Sequence, residues 1–277
     1  MDRFHAAYDA VLAGWPVPHE PVDVSTEFGI TRVQVCGPRD GRPLVLLPGG
    51  GATSTVWFAN IEAFSRTHRV FAVDIMGDTG RSVHSGRRLR TGEDLMSWLG
   101  EVIDHLAPEP VSMCGHSYGG RIALAYALHA PHRVRRLALL DPTTCFAGMS
   151  PRYLWHALPL LLRPSEPRLR ALFGWELGDA CALDATWLNL VAIGAEEVPT
   201  KIVVPRRPSR ARLRGLNVPT LVLLAGRSRV HKVNRVAANA RRLLPNVTVD
   251  VLPHVSHHGM PMVDADRLNS RILEFLG

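Results

Sequence analysis

Six residues, Gly115-His116-Ser117-Tyr118-Gly119-Gly120, combine a serine with the glycines that a very tight turn needs. They follow the short apolar run Pro110 to Cys114 and lead into Arg121 to Leu128, a stretch that reads as a helix. A strand, Gly-x-Ser-x-Gly and a helix, in that order, make a nucleophile elbow: the serine backbone is strained and its hydroxyl stands above the sheet, within reach of a base. A bulky side chain at Gly115 or Gly119 would collide with neighbouring backbone. Tyr118, at the start of the helix, can point its N–H at a developing oxyanion. Taken alone, the pattern also suits an ordinary strand-to-helix turn, so its meaning rests on what the rest of the chain brings to it.

Two other segments could join that chemistry. Pro43-Leu44-Val45-Leu46-Leu47 is a continuous apolar run, as expected of a buried parallel strand. It runs into Pro48-Gly49-Gly50-Gly51-Ala52-Thr53-Ser54, whose glycines admit close backbone approach, and the Gly50 N–H is the candidate second oxyanion donor. The same loop imitates a dinucleotide fingerprint, with Asp74 ending the strand Val70 to Val73, but Ser54 stands where the third glycine belongs. No Gly-Lys-Ser/Thr triplet occurs, which excludes a P-loop. Near the C-terminus, His254, His257 and His258 lie between a last strand, Val247 to Leu252, and an amphipathic helix, Asp264 to Leu276. Elbow-bearing chains order their triad Ser, acid, His, so the base is sought in this loop. A normal start for the closing helix puts His257 in the base position, with His258 as the fallback and His254 least suited. The three could instead be surface histidines or hold a metal, but no His-Glu-x-x-His pattern accompanies them.

These residues need a frame to position them. From Leu44 onward, hydrophobic segments alternate with helical ones, which specifies a parallel sheet with helices on both faces. The alternation stops between Thr143 and about Leu216. Tyr153-Leu154-Trp155, Leu158 to Leu162, Leu172-Phe173, Trp175 and Trp187-Leu188 recur there at helical spacings, punctuated by prolines. The division expected is a core of residues 1–142 and 217–277 with a helical cap of 143–216. The cap's apolar faces should mostly pack on the core and in part line an apolar pocket over Ser117. A chain of 277 residues, 46% hydrophobic, suffices for one such core. Met1 to Ala13 reads as an extra amphipathic helix without the apolar centre and cleavage site of a signal peptide. No apolar run approaches transmembrane length. Cys36, Cys114, Cys145 and Cys181 are widely spaced, which suits free thiols in a reducing compartment and a cytoplasmic location.

On these motifs the chain resembles the α/β-hydrolase superfamily. The residues that carry the resemblance are Leu46-Leu47-Pro48-Gly49-Gly50, Val73-Asp74-Ile75-Met76-Gly77-Asp78-Thr79-Gly80-Arg81-Ser82, the elbow and the His257 loop. More narrowly, Trp15-Pro16, Val24 to Gly29 and Ser54 to Ile61 resemble bacterial carboxylesterases that split aryl-propionate esters. The resemblance implies an α/β-hydrolase fold, a mostly parallel central sheet with helices on both faces and an inserted helical cap. It also implies a serine hydrolase. Ser117 would attack an acyl carbonyl, His257 would carry the proton, and the Gly50 and Tyr118 amides would hold the oxyanion. Water would then resolve the acyl-enzyme, with no metal or organic cofactor.

Two positions depart from the family pattern. Pro48 replaces a histidine before the oxyanion glycines, which leaves the backbone donors in place. More seriously, the family supplies its acid as Gly-x-x-Asp or Gly-x-x-Glu after the penultimate strand, whereas Thr220 to Leu224 runs into Ala225-Gly226-Arg227-Ser228-Arg229. Arg229 occupies the acid position, and no Asp or Glu occurs from Val198 to Val249. Some hydrolases of this fold carry the acid after the strand that follows the elbow helix. Here that strand, Val134 to Leu140, ends at Asp141-Pro142, so Asp141 is the candidate acid. An Asp-Pro pair is also an ordinary turn starter. The alternatives are a Ser117–His257 dyad and a non-catalytic binding protein on the same fold.

The formal net charge is +7, and Val198 to Val249 contains twelve basic residues and no acidic one. Such a stretch can attract acidic partners. A small-molecule acyl substrate is expected. An acidic acyl-carrier domain presenting a thioester is the alternative, and a solvated basic face the simpler explanation. Neither nucleic acid nor a membrane is an expected partner, since no nucleic-acid-binding module is present.

Overall fold

The computed structural model describes residues 1–178 and 183–277. In chain order its strands are β1 (His19–Thr26), β2 (Gly29–Cys36), β3 (Arg42–Leu47), β4 (His68–Val73), β5 (Val83–His84), β6 (Val111–His116), β7 (Val134–Leu140), β8 (Thr220–Ala225) and β9 (Val247–Leu252). Its α-helices are α1 (Asp2–Ala13), α2 (Ile61–Ser65), α3 (Gly92–Leu106), α4 (Ser117–His129), α5 (Pro151–Leu162), α6 (Glu166–Leu177), α7 (Ala185–Glu197), α8 (Arg210–Arg214), α9 (Val233–Leu243) and α10 (Ala265–Leu276).

The sheet runs β1-β2-β4-β3-β6-β7-β8-β9, with the short β5 paired to β2. From β4 to β9 every pairing is parallel, while β1, β2 and β4 pair antiparallel at one edge. The mostly parallel α/β frame is therefore the one the alternating segments specify. Its central strands are buried on both faces, and successive side chains feed two separate cores. Val45 and Leu47 join one core, with Trp98, Ile103 and Ala123 from α3 and α4. Leu44 and Leu46 join the other, with Phe4 of α1, Ile61 of α2 and Ile272 of α10.

The first two strands carry no uninterrupted apolar run that would mark them in the sequence. β1 is largely exposed and includes Pro21. An edge strand can hold polar residues and a proline because one side of it faces water. At the other end, the closing helix begins at Ala265, with Asp264 outside it in a left-handed conformation, φ 54°.

Helices α5, α6 and α7 stand between β7 and β8. The expectation that their apolar residues mostly pack on the core holds for Tyr153, Leu172, Phe173, Trp187 and Leu190, which are buried. It fails for Leu154, Trp155, Leu158, Leu161 and Leu162 of α5, which are exposed. Only Tyr153 and Ala157 of that helix are buried, so most of its apolar surface faces outward. Cys36, Cys114 and Cys145 are buried free thiols, and Cys181 lies outside the described residues. Among the described residues, no helix is long and apolar enough to cross a membrane.

Candidate active site

The elbow is set by close backbone packing. β6 is buried throughout and passes directly into α4 at Ser117, whose φ of 52° is the strained left-handed geometry. A Cβ at Gly115 would lie 2.5 Å from the Gly119 carbonyl oxygen, and one at Gly119 would lie 2.3 Å from that of Leu47. Both contacts are with backbone, so neither position accepts a side chain. The Ser117 hydroxyl stands 2.9 Å from Nε2 of His257, which lies in the loop between β9 and α10 and is 3% exposed.

Asp141 directly follows β7 in a second left-handed conformation, φ 41°, and is fully buried. Its Oδ2 accepts the Nδ1–H of His257 at 2.6 Å. An ionised carboxylate can only accept, which fixes the proton on Nδ1 and leaves Nε2 free to accept from Ser117. The other oxygen, Oδ1, accepts from His231 Nε2–H at 2.9 Å and from the Ala225 N–H at 3.2 Å. Burial alone would raise the carboxyl's pKa, but the hydrogen bonds and charges of His231 and His257 outweigh it and hold Asp141 well below the usual carboxylate range.

Arg229 does not approach this pair. Its guanidinium turns toward α6, where Nη1 donates to the Trp175 carbonyl at 2.5 Å and Cζ sits 5.0 Å from the Trp175 ring centroid. The loop after β8 thus brings no acid of its own, but two residues beyond Arg229 it supplies His231 to the acid that follows β7. Arg229→Asp should therefore leave any turnover that depends on Ser117 within about threefold of wild type while lowering Tm by a few degrees, read by steady-state assay and thermal melting. A large gain in rate would mean that the loop after β8 can still supply a useful carboxylate.

Of the other histidines, His254 is exposed. His258 donates Nδ1–H to Glu176 at 3.1 Å and packs its ring 4.2 Å from that of Phe173. Among the described residues, no three His, Cys, Asp or Glu side chains converge as metal ligands would.

The glycine loop faces the elbow. A Cβ placed on Gly50 would lie 3.6 Å from the Tyr118 Cβ, so the two expected oxyanion residues are neighbours. Tyr118 is in the first turn of α4, where a backbone N–H has no acceptor within the helix. Asp78 holds the loop from behind, accepting from the Gly51 N–H at 3.1 Å and the Thr79 N–H at 2.8 Å. Its pKa is pushed up to about 6 by burial, with Asp74 adding repulsion, despite those two hydrogen bonds. Asp74 resolves the dinucleotide resemblance. It is buried and accepts from the Ser54 and Arg81 N–H groups, both at 2.7 Å, and from Tyr8 at 3.1 Å. The carboxylate that would grip a ribose is spent within the fold, on the serine that replaces the third glycine.

The sequence pattern gives no role to the side chains of His231, His116, Asp78 and Glu176. Neutral His116, its pKa pushed down to about 3 by burial and by His257, donates Nε2–H to the His257 carbonyl at 3.0 Å. Its place in the elbow was visible, but its partner lies 141 residues away. Above Ser117 lies a cavity of about 200 Å³. Gly50, Tyr118 and His257 line its floor, and Tyr153, Phe173, Trp187 and Val191 from α5, α6 and α7 line its roof. A pocket with an apolar roof and a polar floor suits a small acyl compound with one reactive carbonyl.

The chain is similar to known proteins over nearly its whole length. Residues 44–271 match the model of the alpha/beta hydrolase family. Carboxylesterase YbfK of Bacillus subtilis is 30% identical over 99% of this chain and 93% of that protein. The crystal structure of naproxen esterase (carboxylesterase NP) from Bacillus subtilis superposes with a TM-score of 0.91 at 28% identity, covering 99% of this chain and 97% of that one. A pimeloyl-[acyl-carrier protein] methyl ester esterase of Nitrosomonas europaea is 28% identical over 79% of this chain and 89% of that protein. With a family model spanning most of its length and a carboxylesterase relative matched almost end to end, the chain belongs to the α/β hydrolase family and is a hydrolase, which sets aside a non-catalytic role.

Proposed function

We propose that this hydrolase cleaves small carboxylic esters through an acyl-enzyme on Ser117. The observation that carries the reading is the hydrogen-bonded series Ser117–His257–Asp141 beneath an apolar cavity. Ser117 Oγ attacks the carbonyl carbon as His257 Nε2 takes its proton. The carbonyl oxygen, now an anion, is held by the Gly50 and Tyr118 amides. His257 returns the proton to the alkoxide, the alcohol departs, and a water deprotonated by His257 attacks the acyl-enzyme to release the acid. Asp141 keeps the imidazole in the required tautomer and stabilises the imidazolium. His231 and the Ala225 N–H fix the carboxylate by its second oxygen, so that Oδ2 faces the ring.

The carboxylesterase relatives support an ester as substrate, and naproxen esterase supports an aryl-propionyl acyl group among those worth testing. The aromatic roof of Tyr153, Phe173 and Trp187 suits such a group. A carrier-bound thioester has less support, because part of the basic stretch is committed within the fold. Arg207 donates to the Phe146 carbonyl, Arg212 to that of Leu128 and Arg241 to that of Val249.

The test is steady-state hydrolysis of p-nitrophenyl acetate, p-nitrophenyl butyrate and an aryl-propionate methyl ester by the purified protein. All should turn over, and His258→Ala should keep at least about a tenth of the wild-type kcat, since its imidazole faces Glu176 rather than Ser117. If no ester turns over while a thioester does, the substrate class is wrong. If His258→Ala is as inactive as loss of the serine, the base is misassigned.

A further inference from the structure

Glu176 is 1% exposed and sits near the end of α6, one of the three inserted helices. Its Oε1 accepts the backbone N–H of His257 at 2.9 Å. Its Oε2 accepts the backbone N–H of His258 at 3.3 Å and the Nδ1–H of the same residue at 3.1 Å. All three donors come from two consecutive residues of the β9–α10 loop. Burying a carboxylate is costly unless hydrogen bonds replace its water. Here that requirement is met by the residue pair containing the base, and neither the sheet nor α6 itself provides a donor.

The His257 backbone is held on both sides of its Cα. Glu176 takes its N–H, and His116 Nε2–H donates to its carbonyl. His116 belongs to the elbow and Glu176 to the inserted helices, so the ring between them is aimed by two parts of the fold at once. From this geometry we infer that Glu176 is a positioning residue for His257, so that the base is correctly aimed only while α6 is seated. The inference rests on the reading of His257 as the base.

Glu176 is also charged. Burial would raise its pKa, but the His258 hydrogen bond, the charges of His258 and His257 and the His257 N–H bring it down to about 2. The ionisable groups around the His257 ring are Asp141 just after β7, His116 on β6, His231 after β8, and His258 and Glu176 on its remaining side. Removing the Glu176 charge makes the protonated imidazole less favourable. The acid limb of the pH–rate profile, which reports loss of the neutral base, should then move to lower pH.

The experiment compares Glu176→Ala and Glu176→Gln with wild type and Ser117→Ala, measuring kcat and KM for p-nitrophenyl acetate from pH 5 to 9 together with Tm. Glu176→Ala should lose about 100-fold in kcat with KM within about threefold, the scale of a small misplacement of a catalytic group. Glu176→Gln retains an oxygen for the His257 N–H and should recover part of that loss, yet both variants should show the acid limb moved down. The inference is overturned if kcat is unchanged, if the loss merely tracks the unfolded fraction, or if the acid limb stays in place in the folded Gln variant. Ser117→Ala separates the two levels: an active Ser117→Ala protein removes the reading of the site itself. An inactive one beside a fully active Glu176→Ala removes only the role of Glu176.

Discussion

Ser117→Ala and His257→Ala should each lower kcat for p-nitrophenyl acetate by about 10⁴–10⁶-fold, leaving only the assistance of the oxyanion donors and of binding. The two losses should be similar in size, because an unactivated serine is nearly as inert as none. The double variant should lose little more than either single one. Stability should hardly change for Ser117→Ala. Alanine inherits the same left-handed φ of 52°, and among the described residues the only side-chain hydrogen bond removed is the one to His257. Thermal melting run beside the kinetics checks this: a large fall in Tm would make the lost rate uninformative.

Asp141→Asn should lose about 10⁴-fold in kcat, for a reason that can be followed atom by atom. Three donors converge on the carboxylate: His257 Nδ1–H, His231 Nε2–H and the Ala225 N–H. An amide offers one accepting oxygen and one NH₂ group. If the oxygen stays with His231 and Ala225, the NH₂ faces His257, Nδ1 must become the acceptor, and the ring proton moves to Nε2. A base protonated toward Ser117 cannot accept the serine's proton. If the oxygen faces His257 instead, two buried donors meet an NH₂ group, at a cost of about 1–3 kcal/mol for each donor left unsatisfied. The pH dependence of stability gives an independent readout. The folded-state pKa of Asp141 is depressed, so its contribution is fully present above the unfolded value, about 3.9, and is lost as the pH falls below it. Wild type should therefore lose stability more steeply than Asp141→Asn on acidification below about pH 4. Equal rates for the two proteins would exclude Asp141 as the partner of the base.

The groups that were readable in sequence are those with a local signature. Ser117 sits between glycines whose missing side chains make room for backbone 2.3–2.5 Å from where a Cβ would be. His257 sits between a last strand and a last helix, and Asp141 closes a buried strand. The central parallel strands were equally plain, since burial on both faces leaves uninterrupted apolar runs. The half-polar β1, at the sheet's edge, had no such run to show.

What stayed hidden depends on contacts between distant parts of the chain. His231 meets Asp141 across 90 residues, and Glu176 meets His257 across 81. In sequence each is a lone polar residue in an unremarkable setting. Arg229 was conspicuous for what it displaced, yet its partner is a carbonyl on an inserted helix, which no local pattern encodes. Four of the five leucines of α5, Leu154, Leu158, Leu161 and Leu162, suit burial by type and are nonetheless exposed, because the neighbours that would cover that face are not there among the described residues.

The most direct measurement is covalent labelling of the wild-type protein with a fluorophosphonate, with the adduct located by peptide mass spectrometry. Such a reagent phosphonylates a base-activated serine, whose Oγ displaces fluoride from phosphorus while the oxyanion site holds the phosphonyl oxygen. The expected result is a single adduct on Ser117, absent from Ser117→Ala and formed far more slowly in His257→Ala. An adduct on another residue, or a protein that hydrolyses esters while Ser117 stays unlabelled, would contradict the assignment.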